Sequence, residues 1–467
     1  MPVPLRRLRY VTEPLMRRLG GEIVHAFSGT IVVQLGAGLV AFLMLSLAAR
    51  AMPAAEFGHL ATWLSITQMG SVCALLGQEM FILRALNEYT VSNSPELARG
   101  ALNFSLQIVA TLPLLLAAAM FLVGHFVLKE SAALMLGASL YLIANSVVGF
   151  GGHVARYAVG LLLAEGTREI FWKTLTTAAL FVIVRGKATI DPAEFFLIAC
   201  VALAVAITTQ VTVTVRAFPQ NIWKARPIKH SGAWWRASTR LWLTTVLETL
   251  NQYFDVIVIY LLLDAPAAGV YFVASRIANS FGTLLSAAHV LAIRRIPQLY
   301  FAGRIDEINR VFSSMAEIIL LCVTGGILLI VFGADAILGF FGPSFAGQQW
   351  ALIILVAGTA LAAAGGPAPA VLLISGHEGQ YPWILVANIA LRMLGFAILI
   401  PIFGLMGAAL AATLSLLATT LTLNVLCRRW TGIDPSIIGI FRKVRPQLAS
   451  SLEADPDAER DTQRVQP

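Results

Sequence analysis

The sequence predicts an all-α, polytopic integral membrane protein, with about twelve transmembrane helices in two six-helix lobes around a central cavity. Three observations predict it. Hydrophobic residues make up 58% of the 467-residue chain and charged residues 12%, where a soluble globular domain carries about 25% charged residues. Apolar runs of membrane-crossing length recur along the whole chain, at about 20 residues per crossing. One polar connection, Ala217 to Arg240, divides those runs into six and six. A chain with mean hydropathy +0.79 cannot bury its apolar surface in one water-soluble core.

Residues 1–27 form a basic cytoplasmic N-terminus holding Arg6, Arg7, Arg9, Arg17 and Arg18. No small-residue cleavage site follows a short apolar stretch, so this is not a cleavable signal. The N-lobe, 28–216, has predicted helical cores at 28–49, 58–83, 104–128, 132–152, 170–184 and 195–215. The fifth is the shortest and starts among Arg168, Glu169 and Lys173. Residues 217–240 form a cytoplasmic linker with Pro219, Pro227, several bases and the interfacial pair Trp234 and Trp235. The C-lobe, 241–427, has cores at 241–263, 269–290, 315–332, 351–374, 383–400 and 404–427. Gly365-Gly366-Pro367 interrupts the tenth core, and Gly407-Ala408-Ala409 predicts close helix packing. Residues 428–467 form a cytoplasmic tail whose acidic end has the composition of a disordered segment.

Lys and Arg set the orientation. With the N-terminus in the cytoplasm, about 25 of them fall in cytoplasmic segments. Outside lie Arg50, Lys129, Arg185 and Lys187. Both termini are therefore expected in the cytoplasm of a multi-pass protein. The net charge of +8 faces the cytoplasmic leaflet and is not a nucleic-acid footprint. Cys73, Cys200, Cys322 and Cys427 lie singly, and neither they nor the histidines have metal-ligand spacing. No phosphate-cradling glycine loop is present, which argues against ATP hydrolysis by this chain.

The chain contains a short internal echo. Met52-Pro53-Ala54-Ala55-Glu56-Phe57-Gly58 joins the first and second cores, and Ala265-Pro266-Ala267-Ala268-Gly269-Val270-Tyr271 joins the seventh and eighth. A six-helix offset preserves orientation, so the halves read as parallel repeats.

Polar residues at bilayer depth mark the candidate site, because an ionised side chain there costs roughly 2.5–3.5 kcal/mol on insertion scales. Glu248, Asn251 and Asp255 sit at i, i+3 and i+7, on one helical face. The eighth core carries Ser275, Arg276 and Asn279; the eleventh has Asn388 and Arg392 one turn apart; the first has Gln34 and the second Gln68 and Glu79. On one reading Asp255 or Glu248 pairs with Arg276 and staples two helices. On the other, the stripes line a polar cavity, with Arg276, Arg392, Asn279, Asn251, Asn388 and Gln34 as substrate contacts and Asp255 and Glu248 as ion-coupling or gating groups. Arg392 has no acidic partner in its own span, which points to a ligand.

Several segments resemble the polysaccharide flippases of the multidrug/oligosaccharidyl-lipid/polysaccharide (MOP) exporter superfamily, the Wzx-like proteins of O-antigen and exopolysaccharide export. Glu56, Phe57-Gly58, Leu76-Gly77 and Arg84 are similar to that family's opening signature. Asp255, Gly269-Val270-Tyr271 and Arg276 fall on its central one, and FGPSF at 341–345 and IPIFGLMGAALAATLS at 400–415 on two more. The resemblance implies two lobes with alternating access and a non-enzymatic role. Its implied cargo is an undecaprenyl diphosphate-linked oligosaccharide, moved across the bacterial inner membrane for surface polysaccharide biosynthesis. No cofactor is implied beyond a coupling ion, H⁺ or Na⁺. Besides cargo and bilayer, a polysaccharide polymerase and a chain-length regulator are the expected partners. A cation-coupled drug antiporter of the same superfamily remains an alternative, and a membrane polymerase or ligase a weaker one, because every outside loop is short.

Overall fold

The computed structural model describes residues 21–280, 282, 323–366, 368–374, 378–431 and 436. These are helical throughout, with no strand among the described residues. Seven described helices are long and apolar enough to cross a membrane, or eight if one bent pair is a single span. The protein is a multi-pass, all-α membrane protein.

Helix α1 covers Gly21–Ala51. The second predicted core is two helices, α2 (Ala54–Leu75) and α3 (Gln78–Val91), bent by 41°. The cause is local: Leu76 and Gly77 both adopt left-handed φ, at 45° and 72°. A Cβ on Gly77 would lie 2.4 Å from the Ser238 carbonyl oxygen, so the break also seats the start of the seventh span. Helix α4 (Pro95–Leu122) runs on into a π turn at Val123–Val127. Helix α5 (Ala132–Val159) starts at Ser131, whose hydroxyl accepts from the Leu134 amide. The fifth span is longer than its apolar core: α6 (Leu161–Glu165), a π turn at Gly166–Phe171, then α7 (Trp172–Arg185). Helix α8 (Pro192–Ala217) opens with an Asp191/Glu194 capping box and Pro192 in its first turn. The linker holds a short helix, α9 (Gln220–Lys224).

Helix α10 (Ser231–Leu262) begins the C-terminal half. Asp264 caps the next helix, α11, accepting from the Ala267 amide at 2.7 Å; α11 is described over 265–280. The rest of the eighth core and the start of the ninth lie outside the described residues. Helix α12 is Val323–Gly339. The tenth core is broken where the sequence has Gly365-Gly366, between α13 (Gln349–Ala363) and α14 (Ala368–Ile374). Helices α15 (Tyr381–Phe403) and α16 (Leu405–Thr431) pack closely. A Cβ on Gly407 would fall 2.0 Å from the Leu399 carbonyl oxygen, the backbone approach that the small-residue cluster permits.

The long α2–α10 contact joins the two halves, and the larger apolar core continues across it. A second, aromatic cluster sits at the basic end. There Trp234 is buried, donates to the Tyr89 hydroxyl at 2.9 Å and packs against Phe81 and Phe104; Trp235 is exposed.

Candidate functional site: a cavity between the halves

A cavity of about 540 Å³ lies between the halves. Its walls are α1, α2, α5, the π-turn segment with α7, α10 and α11. Helix α1 contributes an apolar wall, in which Leu35 and Leu39 are 50% and 61% exposed. Gln34 lies on the same wall. From the other half come Arg276, Ser280, Phe272 and Tyr253. The Arg276 guanidinium stacks over the Tyr253 ring at 4.0 Å and lies 5.0 Å from the Phe272 ring centre. It also donates to the Gln252 carbonyl at 3.4 Å. Stacked between aromatic faces, it keeps donors free for a ligand.

The opposite wall is more charged than the sequence pattern suggested. Glu165, Glu169 and Lys173 all line the cavity. Lys173 donates to Glu169 at 2.7 Å. Arg168 lies 3.2 Å from Glu169 and 3.8 Å from Glu165, and Arg156 of α5 reaches Glu165. The π turn explains the cluster: one extra residue per turn changes which side chains stack along the helix. Beside it, Gln68 donates to the Tyr141 hydroxyl at 3.2 Å and accepts from Asn145 at 3.1 Å.

The polar face of α10 does not line this cavity. It forms a ladder with α15. Glu248, exposed, meets the Tyr381 hydroxyl. The Asn251 and Asn388 side-chain amides meet at 2.9 Å. Asp255, buried, accepts from Arg392 at 2.9 Å and from Tyr271 at 2.9 Å. Arg392 also donates to the Asn251 carbonyl at 2.9 Å and the Ser415 hydroxyl at 3.0 Å, and is 5% exposed. Both staple and cavity expectations therefore change. The partner of Asp255 is Arg392, 137 residues away, and not Arg276. Arg392 looks onto a small pocket of about 90 Å³ shared with Asn251, Asp255 and Asn279, apart from the large cavity. Of the eight residues singled out, Arg276 and Gln34 face the large cavity. Glu165, Glu169 and Lys173 were missed as lining residues; the i, i+4 spacing of Glu169 and Lys173 was the available signal.

The end of the molecule with short connecting turns is closed by contacts between halves. Ser46 and Arg50 of α1 donate to the Phe340 carbonyl, each at 2.6 Å, and Arg50 reaches the Gly339 carbonyl at 3.4 Å. Both carbonyls lie at the C-terminal end of α12, where a cation meets the negative end of the helix dipole; the Gly339 carbonyl also accepts from the Gly342 amide at 3.2 Å. The FGPSF segment adds rings: Phe42 to Phe341 at 5.1 Å and Phe57 to Phe345 at 5.7 Å. The two turns of the internal echo also meet. A Cβ on Gly58 would lie 1.7 Å from the Ala265 carbonyl oxygen, and one on Gly269 3.1 Å from the Gly58 Cα.

Two helical halves, a charged cavity between them and a closed end make up the described part of the protein. Its fold is that of MOP-superfamily transporters. The chain superposes on an inward-facing multidrug resistance MATE family transporter of the MOP superfamily with TM-score 0.67 and 14% identity, over 86% of this chain and 98% of that one. A MOP superfamily transporter from Pyrococcus furiosus, described as having a binding pocket of reversed polarity that suggests a different function, gives 0.61 and 11%, over 88% and 95%. An outward-facing MATE family transporter gives 0.57 and 12%, over 88% and 95%. No protein-family model and no curated protein matches the sequence.

Proposed function

We propose that the protein is an alternating-access transporter for a lipid-linked oligosaccharide carried on undecaprenyl diphosphate in the bacterial inner membrane. The observation that carries this reading is the make-up of the large cavity. Arg276 and Lys173 approach it from opposite halves, the Tyr253, Phe272 and Trp172 rings line it, and α1 gives it an apolar wall. A diphosphate loses its hydration in such a space and needs charge-assisted hydrogen bonds in exchange. Sugar faces suit the aromatic rings, and a polyprenyl chain suits the wall of Leu35 and Leu39. No covalent chemistry is needed. The shared fold with inward- and outward-facing transporters supports alternating access. The positive-inside rule assigns the basic end to the cytoplasm. The contacts of Arg50, Gly58 and the FGPSF segment then close the periplasmic side.

The test is a strain whose only copy carries Arg276→Ala. The expected result is normal membrane abundance, loss of surface polymer, and lipid-linked precursor retained on the cytoplasmic side. Normal polymer in that strain would defeat the proposal. A drug or cation antiporter is the second reading, favoured by Glu165 and Glu169 on the cavity wall and by the multidrug transporters that share the fold. Against it, each of those acids already contacts an Arg or a Lys. Unchanged resistance to lipophilic cations on overexpression separates the two.

A further inference from the structure

The charged group at the π turn is closely balanced. Its described bases are Arg156, Arg168 and Lys173; its acids are Glu165 and Glu169, with Glu79 of α3 acting on Arg168. Three positive charges face three negative ones. His153 of α5 stands beside Arg168, 3.1 Å away, and Tyr141 of the same helix also faces Glu169. Across the cavity the facing ionisable groups are Arg276 and Tyr253; α1 and α2 offer the neutral Gln34 and Gln68, and α5 Tyr141. Lys173 differs from the other two bases. It lines the cavity, and its side chain is a flexible point charge with three rotatable donors. Its ammonium lies 2.7 Å from Glu169 and 5.6 Å from the Trp172 ring.

We infer that Lys173 and Arg276 are the two arms of a binding site for an ionised phosphate group, one arm from each half, and that Glu169 is the internal competitor that holds Lys173 while the site is empty. This rests on the reading of the cavity as the place of an anionic cargo. An arriving phosphate offers more negative charge and more acceptor oxygens than one carboxylate. Lys173 swings to it. The π-turn group then holds two bases against three acids, a deficit of one positive charge in a partly buried setting. A proton from solution onto a Glu169 carboxylate oxygen restores neutrality, and Glu169 is the acid that has just lost its closest partner. Phosphate binding is thereby linked to uptake of one proton. The sign follows: raising pH removes that proton, returns Lys173 to Glu169 and weakens binding.

The experiment uses the purified full-length protein in detergent, with farnesyl diphosphate as anionic probe and tetraphenylphosphonium as cationic probe. Affinity and proton exchange come from titration calorimetry between pH 6 and 8 in buffers of different ionisation heat. Comparing wild type with variants removes the probe's own proton exchange. Lys173→Gln is expected to weaken farnesyl diphosphate roughly tenfold and to abolish the Glu169-linked uptake. Glu169→Gln is expected to bind as tightly or more tightly than wild type at pH 8, with about one proton fewer taken up. A proton uptake unchanged in Glu169→Gln would place the proton elsewhere and overturn the assignment. If Arg276→Ala weakens the probe but Lys173→Gln and Glu169→Gln do not, this inference fails while the anionic-cargo reading stands. If only tetraphenylphosphonium binds, the anionic-cargo reading itself fails. A normal thermal unfolding profile for Glu169→Gln guards against trivial misfolding, and tighter binding by that variant cannot arise from misfolding.

Discussion

Removing Arg392 should destabilise the fold before it affects any ligand. The guanidinium donates to Asp255, to the Asn251 carbonyl and to Ser415, all within 2.9–3.0 Å. Asp255 is 6% exposed, and Arg392→Ala leaves its carboxylate with the Tyr271 hydroxyl as its remaining donor. Breaking one side of a buried ion pair costs about 3–5 kcal/mol, because the other charge stays buried and unpaired. Asp255→Asn strands the guanidinium and should cost about as much. The double variant Asp255→Asn/Arg392→Met removes both charges and should recover a large part of the loss, a coupling energy of about 2–3 kcal/mol. Thermal unfolding in detergent, followed by the fluorescence of the nine tryptophans, reads this directly. The single variants should fall by several degrees and the double by clearly less. Membrane abundance should follow the same order. Arg392→Ala with the unfolding temperature of the wild type and no exported polymer would refute the reasoning and return Arg392 to the role of a ligand contact.

Three further outcomes follow from the same contacts. Gly58→Val should prevent closure of the short-loop end, since its Cβ position is 1.7 Å from the Ala265 carbonyl oxygen. In a background lacking native cysteines, a Leu45→Cys probe in the cavity should then label several-fold faster with an impermeant maleimide from outside; unchanged labelling would remove these turns from the closure. Arg50→Ala loses its bonds to Phe340 and Gly339, each charged bond worth about 1.5–3 kcal/mol when dry and less at this exposed position; it should raise the same labelling rate up to tenfold, with unfolding temperature nearly unchanged. Reporter fusions after Lys129 and Asp264 should report periplasm and fusions within Lys224–Lys229 cytoplasm, and a periplasmic signal from the linker would overturn the orientation.

The fold class was legible because hydrocarbon enforces one pattern: backbone groups must be satisfied within each span, so long apolar runs have to be helices. What apolarity does not encode is where a span bends. The second core reads as one run from 58 to 83, yet Leu76 and Gly77 turn it by 41°. The Leu76-Gly77 pair was visible as a motif, but its left-handed backbone was not, because Leu does not favour that region. The site shows the same limit. Helical spacing correctly placed Glu248, Asn251 and Asp255 on one face. It could not say whether that face meets a cavity or another helix, and it meets Tyr381, Asn388 and Arg392 on α15. The partner of Asp255 lies 137 residues away, beyond any local rule. On the N-terminal wall Glu165, Glu169 and Lys173 went unread as cavity lining, because a π turn changes facing without changing composition.

The internal echo gives the closed end a physical logic. Two parallel repeats place their first turns on the same side of the membrane, so the turns after α1 and α10 must lie near one another if the halves close there. Bulky side chains at both turns would keep the helix starts about 8–10 Å apart. Here Gly58 faces Ala265 and Gly269 faces Gly58, so backbone meets backbone. Such a contact has little side-chain entropy to lose on closing and few hydrogen bonds to break on opening. The bonds that hold it are displaced to its margin, where Ser46 and Arg50 cap α12 and where Phe42 and Phe57 meet the FGPSF rings. A hinge-like centre of glycine backbone, locked at its edge by a few polar bonds to one helix end, separates the geometry of closure from its strength. Substitutions at Gly58 and at Arg50 should accordingly act differently: the first alters whether the end can close at all, the second how long it stays closed.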